Sequence, residues 1–428
     1  MDQQIQIALE KQNPWWFKEA YETGIPRLRH YHRLQKYLGT QEILLVLGAR
    51  RTGKSTLLYQ IIAQLKASPE AILFINLDEP IFQSKADDPA FLGTLIEEYL
   101  VQHKELSKVY VFIDEVQNYL YWTQTIKSLH DINKKVKFVL SGSTSSLLKD
   151  AASTRLSGRY FATVIWPLTF QEYLEFSNMP KPSLLQKRQA ANRYLQFGGF
   201  PRVVLEKDEL LKQDLLKNYF QTIYLKDIIF PHKVRNNKDV FDLLYFVLSN
   251  AGTPFSYAKM AKTLNISADT VKEYLSYAEQ SYLLYVVTKY DPSVRKQLAN
   301  PRKIYCVDTG LINSISFKFS ENRGRLMENL VFMSLIKKQG EVFYHREANE
   351  CDFLVREGRK IARAIQVTLS LKEESVKKRE LKGLLEALIS HNLQEGFIVT
   401  EAEKEVIELE GRKIHVVPLY EWLEQDSH

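Results

Sequence analysis

The sequence predicts an α/β fold organised around a parallel sheet, and three stretches predict it. Ile43-Leu44-Leu45-Val46-Leu47 is a wholly apolar run that passes through Gly48-Ala49-Arg50-Arg51-Thr52-Gly53-Lys54-Ser55-Thr56 into the helix-compatible Leu57-Leu58-Tyr59-Gln60-Ile61-Ile62. Val109-Tyr110-Val111-Phe112-Ile113 is a second such run, closed by Asp114-Glu115. Val136-Lys137-Phe138-Val139-Leu140 is a further strand, apolar but for Lys137, that runs into Ser141-Gly142-Ser143-Thr144-Ser145. Near-continuous apolar runs are what strands covered on both faces require. Each ends in the small, polar or acidic residues that line ligand sites at the carboxyl edge of open α/β sheets.

The first element has the spacing of a phosphate-binding loop between a buried strand and a helix. Gly48 and Gly53 allow a short loop to turn its backbone N–H groups inward around phosphates, and the helix N-terminus beneath adds positive partial charge. Lys54 is placed to reach the β and γ phosphates as a point charge, and the Ser55 hydroxyl to complete a Mg²⁺ shell. Gly48, Arg50, Arg51, Thr52, Gly53, Lys54, Ser55 and Thr56 are therefore the candidate contacts to ATP.

The second element supplies the acid that such a loop needs. Asp114, at the end of a central strand, is the candidate for holding the Mg²⁺ water shell, and Glu115 the candidate general base for the attacking water. The third element brings hydroxyls to the same edge. Ser143 is the candidate γ-phosphate sensor, with helix capping by this serine-rich turn as the alternative reading.

A chain of 428 residues suggests about three domains. With 45% hydrophobic and 25% charged residues it has the composition of a globular protein. There is no internal repeat, low-complexity tract or apolar run long enough to span a bilayer, and no secretory start, so the expected location is cytoplasmic with no membrane partner. Cys306 and Cys351 are too few for a metal cluster and are expected as reduced packing residues. The formal charge is +7, and residues 231–305 hold eleven Lys and Arg against six Asp and Glu. That excess makes this segment a candidate DNA surface.

The chain resembles prokaryotic AAA-type P-loop ATPases. The resemblance rests on Gly-x-Arg-Arg-x-Gly-Lys at 48–54, Asp-Glu-Val-Gln at 114–117, Ser-Gly-Ser at 141–143, Leu156-Ser157-Gly158-Arg159, Trp166-Pro167-Leu168-Thr169-Phe170-Gln171-Glu172-Tyr173 and Gly198-Gly199-Phe200-Pro201. It implies an N-terminal helical segment (1–40), a P-loop ATPase core (41–167), a helical lid (168–230), a winged helix-turn-helix (231–311) and a C-terminal mixed α/β domain similar to PD-(D/E)xK nucleases (312–428). By position Arg159 matches the arginine that acts on the γ-phosphate of a neighbouring subunit, which implies a homo-oligomer. Arg155 is the competing candidate. Ahead of the core, Pro26-Arg27 is a candidate contact to the nucleotide base, whereas Trp15 and Trp16 read as packing residues.

In the winged-helix segment, three helices (240–248, 257–264 and 269–278) precede an apolar strand at 282–287. The second helix-turn-helix element offers Asp269, Thr270, Lys272, Glu273 and Ser276 to solvent, and the loop 291–303 offers Arg295, Lys296, Arg302 and Lys303 as a wing. A structural or protein-contact role for this module stands as the alternative. In the last segment the resemblance rests on Gly324-x-x-x-Glu328-Asn329, Glu350-Cys351-Asp352-Phe353-Leu354-Val355 and Ala364-Ile365-Gln366-Val367-Thr368. It implies Glu328 and Asp352 as metal-binding carboxylates. Gln366 and Thr368 stand where an active nuclease carries its second acid and its lysine, so a degenerate domain is expected rather than one that cleaves. The functional expectation is an ATPase coupled to DNA binding or remodelling. An ATP-gated nuclease or defence effector and a signalling ATPase with protein-binding appendages are the alternatives.

Overall fold

The computed structural model describes residues 2–153, 156, 158–315, 323–338 and 340–425. The chain divides into two compact units, Met1–Ile165 with Gln280–Tyr282, and Trp166–Glu279 with Leu283–His428.

The first unit is built on five parallel strands, β1 (Ile43–Leu47), β2 (Ile72–Asn76), β3 (Val109–Asp114), β4 (Val136–Gly142) and β5 (Tyr160–Val164), in the order β2-β3-β4-β1-β5. Every residue of β1 and β4 is buried, as expected of strands covered on both faces. Leu44, Val46, Phe74, Phe112 and Val139 pack with Leu57, Leu58 and Ile61 of the helix Lys54–Gln64. Leu47 is level with Gly142, and Ile113 with Leu140. The loop after β1, the end of β3 and the end of β4 thus come to one edge of the sheet.

The N-terminal segment closes the free edge of β2, whose unpaired backbone groups would otherwise template aggregation. Asn13 acts as a surrogate strand, its amide donating to Phe74 O at 2.8 Å and its oxygen accepting from Phe74 N at 2.7 Å. The indole N–H groups of Trp15 and Trp16 both donate to Ile72 O, and Gln12 accepts from Asn76 N. Trp15 also packs edge-on against Tyr21 and Phe74.

The second unit begins with helices. Leu184–Phe197 stops at Gly198, which adopts φ +72°, and Pro201–Leu205 starts three residues later. The helices Asn237–Ser249, Tyr257–Leu264 and Ala268–Gln280 follow, and then an antiparallel pair, β6 (Leu284–Thr288) and β7 (Arg302–Cys306). The remainder is a mixed sheet, β8 (Glu341–Arg346), β9 (Glu350–Glu357), β10 (Lys360–Val367), β11 (Glu395–Thr400), β12 (Glu405–Leu409) and β13 (Arg412–Pro418), in the order β12-β13-β11-β10-β9-β8. It carries the helix Glu374–Ser390, whose Leu384, Ala387 and Leu388 pack on Leu354, Ala364 and Ile398. Cys306 and Cys351 are buried free thiols. Among the described residues no helix is long and apolar enough to cross a membrane.

Candidate nucleotide-binding site

The loop between β1 and the helix Lys54–Gln64 is shaped by backbone conformations that its glycines permit. Gly48 sits at φ +143°, and a Cβ there would fall 2.2 Å from Ile165 O. Gly53, at φ +92°, is the residue that caps the helix. Arg51, between them, is also left-handed, at φ +68°. The Thr52 hydroxyl donates back to Ala49 O at 2.9 Å, and Lys54 Nζ donates to Gly48 O and Ala49 O at 3.0 and 3.1 Å. Lys54 is only 4% exposed. Its ammonium is therefore fixed inside the curl of the loop rather than spread over the surface.

Arg27 braces the loop from outside. Its guanidinium donates to Thr52 O at 3.0 Å, while its backbone N–H donates to Gln60 Oε1, and the Gln60 amide ties back to Thr23 O and Ile25 O. The segment read as a candidate base contact is therefore pinned to the phosphate loop and its helix.

Asp114 ends β3 and is almost fully buried, beside Ser141, whose hydroxyl donates to Asp114 Oδ1. Burial and the neighbouring Glu115 push its carboxyl above the usual range, against hydrogen bonds from Ser141 and Ser55 and the charge of Lys54. Glu115, directly after the strand, occupies a left-handed backbone position at φ +54°. Burial acts to raise its carboxyl too, but Lys54, Arg50 and the amide of Gln117 outweigh it and hold the group below the ordinary glutamate value. Arg50 Nη2 lies 3.8 Å from Glu115 Oε2. The two adjacent acids thus differ in their electrostatics, Asp114 biased towards its neutral form by burial and by Glu115, and Glu115 towards its charged form by Lys54 and Arg50.

Ser143 is fully buried, and its hydroxyl accepts from Gln117 Nε2 at 3.1 Å. Gln117 also donates to Glu115 Oε2, so it links the two predicted residues. Neither Gln117 nor Ser141 stood out as a site residue in the sequence. Ser141 was legible in retrospect, because β4 runs on through Gly142 and places Ser141 level with the end of β3.

Arg159 lies at the opposite, amino edge of the sheet, where its carbonyl accepts from Ile43 N. Five residues of β1 separate that position from the loop, a distance on the order of 15–20 Å. Its Nε is 3.3 Å from Asp131 Oδ1. Arg155 and Ser157 fall outside the described residues.

In the second unit, Glu328 and Asp352 do come together, but around a lysine. Lys303 Nζ lies 3.0 Å from Glu328 Oε1, 2.9 Å from Glu350 Oε1 and 3.1 Å from Asp352 Oδ1, with 1% of its side chain exposed. The expectation of a solvent-facing wing lysine is corrected here: Lys303 is on β7, and it points into the carboxylates. The segment 291–303 is not a plain loop either, since Val294–Ala299 is helical. Arg295 and Lys296 are exposed, whereas Arg302 is half-buried over the Tyr257 ring. Of the polar residues expected on the helix Ala268–Gln280, Asp269, Lys272 and Glu273 are exposed, while Thr270 and Ser276 are half-buried. Lys272 pairs with Asp269 at 2.9 Å. Gln366, in place of the second acid, accepts from Asp352 N at 3.1 Å and donates to the buried Glu380. Thr368 is buried, its backbone N–H bonded to Val399 O.

Comparison with known families matches residues 40–174 to an AAA domain, 188–322 to a domain of unknown function (DUF8612) and 323–422 to another (DUF4143). The uncharacterized protein MJ1544 of Methanocaldococcus jannaschii is 30% identical over 410 residues, 89% of this chain and 88% of that one. An uncharacterized protein of Haemophilus influenzae is also 30% identical over 410 residues, covering 94% of this chain and 99% of its own length. The solved structure of AMPPCP-bound DnaA from Aquifex aeolicus overlaps 59% of this chain and 87% of that chain at 15% identity, with a TM-score of 0.27, too low to bear on the site. The phosphate loop, the parallel sheet and the family match over residues 40–174 agree that the chain carries an AAA-type P-loop domain, and it belongs to the same family as MJ1544 and the Haemophilus influenzae protein.

Proposed function

We propose that this chain is a Mg²⁺-dependent ATPase that couples ATP hydrolysis to DNA binding or remodelling. The observation that carries the catalytic half is the convergence of Lys54, Ser55, Asp114 and Glu115 at the carboxyl edge of the parallel sheet, with Ser55 hydrogen-bonded to Asp114 and Lys54 close enough to bias both acids. Lys54 and the loop N–H groups hold the β and γ phosphates. Ser55 and Asp114 hold the Mg²⁺ that ATP brings, which neutralises phosphate charge. Glu115 takes the proton of the attacking water, and Ser143 reads the γ-phosphate through Gln117. Gly48, Arg50, Arg51, Thr52, Gly53 and Thr56 complete the pocket.

Arg159 acts on the ATP of a neighbouring subunit, because its place at the far edge of the sheet keeps it from its own loop. The working form is then a homo-oligomer in the cytoplasm.

The DNA half rests on three helices followed by an antiparallel pair, the arrangement of a winged helix, and on the exposed Arg295 and Lys296 beside it. The last of the three helices, Ala268–Gln280, is net acidic, with Asp269, Glu273 and Glu279 against Lys272, so contacts from the basic segment beside it to the DNA backbone dominate over base readout. We place the lid at 168–230, the winged helix at 231–311 and a nuclease-like domain that does not cleave at 312–428. The test is phosphate release measured with Mg²⁺ and ATP, with and without single-stranded, double-stranded and branched DNA. Stimulation by DNA supports the coupling, and turnover indifferent to every DNA rejects it.

A further inference from the structure

The carboxylates Glu328, Glu350 and Asp352 have the look of a cation site, and the structure shows what fills it. Strand β7 alternates, so Lys303 and Tyr305 point to one face. Both meet Glu328: the Tyr305 hydroxyl donates to Glu328 Oε1 at 2.6 Å and Lys303 Nζ donates to the same oxygen at 3.0 Å. An ammonium has three protons to give and no acceptor. Here it has three carboxylate partners, all within 3.1 Å.

The surroundings hold Lys303 in that place. Asn329 clamps the backbone of β7, accepting from Cys306 N at 2.7 Å and donating to Cys306 O at 2.9 Å. Gly252 N donates to Ile304 O, and a Cβ on Gly252 would come within 3.0 Å of Glu328 Oε2. Val367 N occupies the outer oxygen of Asp352, and the Asp352 N–H occupies the Gln366 oxygen. A second cation attends the cluster as well: Arg346 lies 3.6 Å from Glu350, so two side-chain cations face the three carboxylates. A divalent cation entering this cluster meets a fixed positive charge at the point its carboxylate ligands define.

We infer that the Lys303 ammonium is a built-in replacement for a divalent cation in the C-terminal carboxylate cluster. The cluster is therefore metal-free, and its carboxylates serve to lock the β6–β7 hairpin to the sheet instead of activating water. The Glu328-Asn329 pair has a single task on this reading, which is to seat β7 through both its side chain and its backbone. This inference stands apart from the ATPase and DNA readings and survives if either fails.

The test is Mn²⁺ titration of the nucleotide-free, full-length chain followed by electron paramagnetic resonance, together with thermal unfolding. Asp114→Asn serves as the parent, because it takes the phosphate-loop acid out of the titration. The parent is expected to bind no Mn²⁺ at the cluster. Lys303→Met is expected to bind one Mn²⁺ on the order of a hundred-fold more tightly than the parent, with its lowered Tm raised by Mn²⁺, and Asp352→Asn added to it removes the gain. Three results each overturn the inference: Mn²⁺ bound by the parent and lost on Glu328→Gln, a Lys303→Met chain that gains no affinity, or a Lys303→Met chain that stays unfolded in Mn²⁺.

Discussion

Gln117 donates one amide group to both Glu115 and Ser143, to the latter at 3.1 Å, and so spans the turn after β3 and the end of β4. Its other side-chain atom, Oε1, is buried and makes no hydrogen bond among the described residues. Glutamine is thus held by what it donates to. Ser143 and Glu115 thus share one side-chain donor.

Replacing Gln117 by Leu removes that link while keeping the bulk. The expected result is a fall in kcat of about tenfold or more, with the KM for ATP little changed, because Glu115 keeps its charge but loses its aim. Steady-state phosphate release over a range of ATP concentrations separates the two. A KM effect alone would move Gln117 from positioning to binding.

Lys54→Ala is expected to abolish nucleotide binding, measured by displacement of a fluorescent ATP analogue. The ammonium is held inside the loop by Gly48 O and Ala49 O. Tight binding by the variant would show that the N–H groups of the loop suffice.

Arg159→Ala is expected to bind ATP and hydrolyse it poorly. Mixed with Glu115→Gln it regains part of the activity, since each variant brings what the other lacks across an interface. Its ion pair with Asp131 is surface-exposed and contributes little to stability, so the melting temperature barely moves. Full activity in a monomer at every concentration contradicts the shared site.

The second unit should lose stability as pH rises. Burial pushes Asp308 up to about 6 and Glu328 up to about 7. A carboxyl whose folded value is raised stabilises the fold below its unfolded value, and that contribution is lost as pH climbs through the folded value. For Asp308 the window runs from about 4 to 6, and its size is on the order of 3 kcal/mol. Urea unfolding from pH 4 to 8 is expected to give a flatter profile for Asp308→Asn than for the parent chain. The same carboxylate accepts from Gly199 N and Gly310 N, and a Cβ on Gly198 would sit 1.7 Å from it. Gly198→Ala is therefore expected to destabilise this unit by several kcal/mol.

Three of the five strands of the first unit, β1, β3 and β4, were legible because each is a largely apolar run that ends in chemistry: glycine and lysine after β1, two acids after β3, hydroxyls after β4; β2 and β5 end in no such signal and were not legible. The periodicity of three helices and a following strand likewise announced the segment 237–288. Lys303 was not legible. In sequence it belongs to a basic stretch with Arg295, Lys296 and Arg302, and only the tertiary approach of the helix Arg323–Lys337 and of β9 shows that it is buried among acids. Gln117 was hidden for a related reason, since its partners Glu115 and Ser143 are brought together by strand register, which one sequence does not display. The edge-sealing role of Asn13 is equally nonlocal, resting on contacts with Phe74, 61 residues away.

The central claim, that Glu115 drives ATP hydrolysis at this loop, is tested most directly by phosphate release from Glu115→Gln under Mg²⁺ and saturating ATP. The substitution keeps size and removes the base. Retained ATP binding with turnover lowered by roughly a hundred-fold or more is the predicted result, and turnover equal to that of the parent chain would contradict it.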